Sequence, residues 1–111
     1  MVLGCLLLVA CGDDSDRARG VREDVSPPPG ELIYNRFCFS CHAAGTAGAP
    51  RAREHEAWGL RLRKGRAALL QSTIQGIAPA MPAMGLCTTC TEAELAAAID
   101  YMLPAQQPPL R

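Results

Sequence analysis

Cys38-Phe39-Ser40-Cys41-His42, with Ala43-Ala44-Gly45-Thr46-Ala47-Gly48-Ala49-Pro50 behind it, is the stretch on which the fold turns. Just upstream, Tyr34, Cys38 and Cys41 stand at i, i+4 and i+7 with Ile33 and Phe37 beside them, the spacing of one helical face. A helix is therefore predicted over residues 31–41, and a spacing of three puts both thiols on the same side of it. The run AAGTAGAP consists almost wholly of glycine and small residues and predicts a loop. Beyond it, residues 54–63 predict a short helix. A further helix is predicted over 67–75, with Leu70, Ile74 and Ile77 on one side and Gly76 as its stop.

The last element carries its own start signal. Thr91 and Glu94 have capping-box spacing, then Leu95, Ile99, Met102 and Leu103 form an apolar stripe that Pro104 ends. Neither a strand pattern nor an internal repeat is present. The expectation is an all-α domain of three to five short helices over residues 30–103, with a disordered tail at 104–111.

The chain of 111 residues has room for one domain. Its 49% hydrophobic content leans on alanine, and one Trp, two Tyr and two Phe are all the aromatic bulk available. A core this small needs help from a metal, a disulfide or a cofactor. Eleven acidic residues balance eleven basic ones, which removes any strong electrostatic case for nucleic acid as a partner.

Residues 1–10, MVLGCLLLVA, are apolar but too short to span a bilayer as a helix, which takes roughly 20 residues. They read as the hydrophobic part of a signal peptide, although no Lys or Arg precedes them. The run closes on Leu8-Val9-Ala10-Cys11-Gly12, which resembles the bacterial lipobox and implies that Cys11 becomes a lipidated N-terminus holding the chain at a membrane. The expected location is periplasmic, with membrane attachment through that lipid. Residues 11–29 are polar, mixed in charge and closed by three prolines, and predict a disordered tether. Extended at ~3.3 Å per residue, such a tether reaches roughly 60 Å.

An exported setting changes what the cysteines mean. They fall in pairs, Cys5 with Cys11, Cys38 with Cys41, and Cys87 with Cys90. Cys-x-x-Cys-His at 38–42 is the haem-attachment spacing, in which each thiol adds across a vinyl group to form a thioether and His42 supplies a ligand to the iron. Two other chemistries use Cys-x-x-Cys. A thioredoxin-like dithiol belongs in a βαβ pattern, which is absent here. Zinc held by Cys38, Cys41, Cys87 and Cys90 is the stronger rival, but zinc ribbons favour β-hairpins around each pair, and the first pair here sits on a predicted helix.

Taken together, CFSCHAAGTAGAP, AWGLRL, MPAMGLCTTCT and EAELAAAIDYM resemble, in order and spacing, the cytochrome c5 type of class I c-type cytochromes. The resemblance covers most of the chain from Gly30 to Leu103. It implies a class I cytochrome c fold around one covalent haem c, working as a single-electron carrier between redox protein partners in a periplasmic respiratory or related chain, and not as an enzyme.

By the same resemblance Met81 is the distal iron ligand opposite His42, although Met84 stands three residues on, where the family usually has a basic residue. Pro50 matches the proline whose carbonyl accepts the histidine's hydrogen bond. Trp58 and Arg61 match residues expected near the haem propionates. Cys87 and Cys90 match a disulfide pair.

The alternative from another class is a haem peroxidase or small-ligand sensor with a labile methionine ligand. His55, between Glu54 and Glu56, reads as a solvated surface residue. Arg51, Arg53, Arg61, Arg63, Lys64 and Arg66 form a basic cluster, read either as a solvated face or as an encounter surface for an acidic redox partner.

Overall fold

The computed structural model describes residues 26–105. The apolar leader, Cys11, most of the tether and the end of the tail lie outside the described residues. Among those described, helices are the only extended regular elements, joined by short turns.

Chain order is α1 (Glu31–Ile33), a π-helical turn (Tyr34–Cys38), α2 (Phe39–His42), α3 (His55–Leu62), α4 (Arg66–Gln75) and α5 (Glu92–Met102). The first three run on without a break, so the single helix expected over 31–41 is present but contains one widened turn. Its mark is the Phe39 N–H, which reaches back five residues to the Tyr34 carbonyl. The widening accompanies burial of Tyr34, which is packed 5.1 Å from the Tyr101 ring of α5 and edge-on to Phe39.

The ends of the later helices follow local chemistry. At α5 the capping box is complete, with the Glu94 N–H donating to Thr91 Oγ1 at 3.2 Å and the Thr91 N–H donating to Glu94 Oε2 at 2.7 Å. Gly76 ends α4 at φ 75°, ψ 170°, a conformation that is essentially glycine's alone. Ile77 departs from expectation here. It lies past the stop, off the α4 face, and pairs with Met81 in an isolated antiparallel bridge.

The core is compact and lies where the first helix, α3 and α5 meet. Tyr34, Trp58, Ile99 and Met102 form its centre, with Leu95 and Ala98 also buried on α5. Burying each Leu, Ile or Met side chain stabilises the fold by about 1.5–3 kcal/mol. The loop after α2 is drawn into this packing, since the Arg53 N–H donates to the Met102 carbonyl at 2.7 Å and the Arg53 guanidinium lies 4.5 Å over the Tyr101 ring.

Candidate functional site

Next to this core opens a cleft of about 310 Å³ with mostly apolar walls. Cys38, Cys41 and His42 line it from the first helix, and Met81 and Met84 from the segment between α4 and α5. Both thiols are free and half-buried. Burial pushes the Cys38 thiol above its ordinary value.

His42 is buried, and its Nδ1 lies 2.8 Å from the Pro50 carbonyl oxygen. A carbonyl can only accept, so Nδ1 carries the proton and donates it. In the neutral ring Nε2 then has a free lone pair, which is the form of imidazole that ligates a metal. The loop is sequence-built for this contact. Gly45 and Gly48 turn the chain with positive φ, and the Ala52 N–H donates to the His42 carbonyl at 2.8 Å, bringing Pro50 back over the ring.

Met81 is fixed at its backbone. Its N–H donates to the Ile77 carbonyl and its carbonyl accepts from the Ile77 N–H, each at 2.9 Å. A Cβ on Gly76 would come within 2.8 Å of the Met81 carbonyl oxygen and 2.7 Å of the Ala83 nitrogen, so only glycine lets the loop close this tightly. Met84 also faces the cleft but sits at φ 58° with no such ladder. The Cys87 N–H donates to the Met84 carbonyl at 3.0 Å, and Cys87 is bonded to Cys90 with S–S 2.01 Å. That disulfide ties off the loop before α5. It also withdraws two of the four thiolates a zinc site would need, and among the described residues no three His, Cys, Asp or Glu side chains converge.

Trp58 does not line the cleft, and its indole N–H donates to the Arg51 carbonyl at 2.8 Å. The ring lies behind His42, 18° from parallel with centroids 6.3 Å apart. Arg61 does border the cleft, exposed, with Nη1 donating to the Ala57 carbonyl. His55 is exposed at the start of α3, away from the cleft.

Three members of the basic cluster are engaged within the fold. Arg51 donates to the Ala44 carbonyl, Arg53 covers Tyr101, and Arg66 pairs with Asp100 through two contacts. The ion pair is largely exposed and raises the Arg66 value, first through the Asp100 hydrogen bond.

The donor set suits an iron porphyrin. Two thiols stand at vinyl-addition spacing beside an apolar cleft, joined by a neutral imidazole and neutral thioethers and by no cluster of hard oxygen ligands. A family model described as cytochrome C oxidase, cbb3-type, subunit III matches residues 26–102. The chain belongs to the cytochrome c family.

Its relatives in that family include cytochrome c5 of Azotobacter vinelandii, 35% identical over 75 residues that span 66% of this chain and 89% of the relative. Cytochrome c-555 of Prosthecochloris aestuarii is 32% identical over 81 residues, 67% of this chain and 82% of the other. Among solved structures, a mono-haem ferrocytochrome c from Shewanella putrefaciens superposes with TM-score 0.62 at 42% identity, covering 69% of this chain and 94% of that one.

A chain from an electron-transfer complex of nitrite reductase with cytochrome c gives the same TM-score and identity, covering 68% and 91%. This cytochrome c accordingly has the helical class I fold, carries one covalently attached haem c, and is an electron-transfer protein rather than an enzyme.

Proposed function

We propose that this cytochrome is a membrane-tethered, periplasmic single-electron carrier in which Cys38 and Cys41 form the two thioethers and His42 and Met81 are the axial ligands. The observation that carries this reading is the meeting of both free thiols, a buried imidazole already in its ligating tautomer, and a backbone-fixed methionine on one apolar cleft. The haem supplies the one-electron couple. Everything else is the work of the chain. Pro50 orients His42 and makes it a better donor by accepting the hydrogen bond from its Nδ1–H. The Met81 sulfur, soft and neutral, favours the reduced state. The surrounding apolar side chains keep water away. With His42 and Met81 both holding the haem iron, no open site would remain for a substrate, and electrons would leave to a protein partner. A reductase is the class of acceptor suggested by the neighbour solved with nitrite reductase.

Met81 is preferred to Met84 because the paired backbone at Ile77 holds it in place. The near-infrared charge-transfer band of a methionine-ligated ferric haem is the test. Met81→Ala is expected to abolish the band and let the reduced protein bind carbon monoxide, while Met84→Ala keeps the band. Loss of the band on Met84→Ala alone would reassign the ligand, and carbon monoxide binding by the unaltered protein would favour a sensor or peroxidase. Mass spectrometry of the mature protein reports the tether, which predicts an acylated N-terminal Cys11.

A further inference from the structure

We propose that Trp58 is a positioning residue for His42, acting through one immobilised peptide group; the proposal rests on His42 being the iron ligand. The peptide unit between Arg51 and Ala52 is held at both ends. Its carbonyl oxygen accepts the Trp58 indole N–H at 2.8 Å, and its N–H donates to the His42 carbonyl at 2.8 Å. Because a peptide is planar, fixing its oxygen and its nitrogen fixes the whole unit. One Cα away stands the Pro50 carbonyl, the acceptor for His42 Nδ1 at 2.8 Å. The proline ring restrains φ on the near side of that carbonyl. On the far side the Arg51 side chain is anchored, with Nε donating to the Ala44 carbonyl at 3.0 Å.

Only the Arg51 torsions separate the Pro50 acceptor from the plate that Trp58 holds. Trp58 comes from α3, a different element from the helix carrying His42, and it is 4% exposed, so its N–H works in a dry setting where a hydrogen bond is stronger. The aim of the Pro50 carbonyl, and with it the electron-donating strength of His42, is thus set by an indole that does not line the cleft.

The test separates the N–H from the bulk of the ring. Trp58 is the one tryptophan of the chain, so it can be replaced residue-specifically by benzothienylalanine, which has the same shape and a sulfur in place of N–H. Solvent exchange of the His42 Nδ1 proton and the midpoint potential are measured on the full-length holoprotein, with Trp58→Phe alongside. The analogue is expected to speed exchange about three- to tenfold, the effect of one modest hydrogen bond. It is also expected to raise the potential, because a more weakly held imidazole supports ferric iron less well. Unchanged exchange and potential in the analogue would overturn the proposal, and so would a change confined to Trp58→Phe, which would assign Trp58 a packing role. If the unsubstituted ferrous protein lacks an iron-bound imidazole resonance for His42, the ligand assignment itself falls and takes the positioning role with it.

Discussion

Replacing Gly76 by alanine tests how the methionine segment is held. At φ 75°, ψ 170° any side chain incurs backbone strain of roughly 1–3 kcal/mol. The new Cβ would also meet the Ala83 nitrogen at 2.7 Å and the Met81 carbonyl oxygen at 2.8 Å. These are backbone atoms, so relief requires moving the segment and costs about 1–3 kcal/mol more.

Gly65 is the control, because it has φ +85° but nothing within 4 Å of its would-be Cβ. Guanidinium unfolding of the holoprotein should show Gly65→Ala losing the strain cost alone, with the near-infrared methionine band intact. Gly76→Ala should lose about 2–6 kcal/mol, the sum of both costs, and the band should weaken. Equal losses for the two variants, or a full-strength band in Gly76→Ala, would refute the idea that the close backbone approach beneath Met81 holds it in position.

Three further outcomes are expected. Thr91→Ala removes the side-chain cap of α5 and should cost about 1 kcal/mol in chemical denaturation. Burial, then the neighbouring Tyr101 phenol, raise the Tyr34 value against the opposing pull of Arg53. The unfolded chain therefore ionises first as pH climbs past the ordinary value of 10.0, and stability should fall from there until the folded value is passed, a decline that Tyr34→Phe should lessen in a stability-versus-pH series. Replacing Cys87 and Cys90 together by alanine opens a very short loop, so stability should change little through chain entropy, while the methionine band should broaden or weaken.

Much of the architecture is legible where local chemistry decides it. Thr91 with Glu94 starts α5, Gly76 stops α4, and the period of Leu95, Ile99 and Met102 marks the face that is buried. The π turn is not legible, because nothing in Tyr34–Cys38 marks it and the packing that accompanies it is against a ring almost seventy residues later. Ile77 continues the α4 pattern in sequence, yet lies beyond the glycine that reverses the chain.

For the site, residue types and spacing single out Cys38, Cys41 and His42, and the family resemblance adds Met81; all four line one cleft. What they leave open is held by the main chain. Two methionines three residues apart are chemically identical, and only the Ile77 pairing separates them. The partner of the Trp58 indole is not legible either, because the Arg51 carbonyl has no signature of its own, every residue possessing one.

The isolated bridge between Ile77 and Met81 bears on speed as well as on position. If Met81 ligates the iron as proposed, its sulfur, mounted on a turn closed by two hydrogen bonds, would have little freedom to retreat when the metal changes charge. With Met81 bound, oxidised and reduced states would share nearly the same nuclear arrangement, and a small reorganisation energy is what lets a carrier exchange electrons over long distances with little driving force.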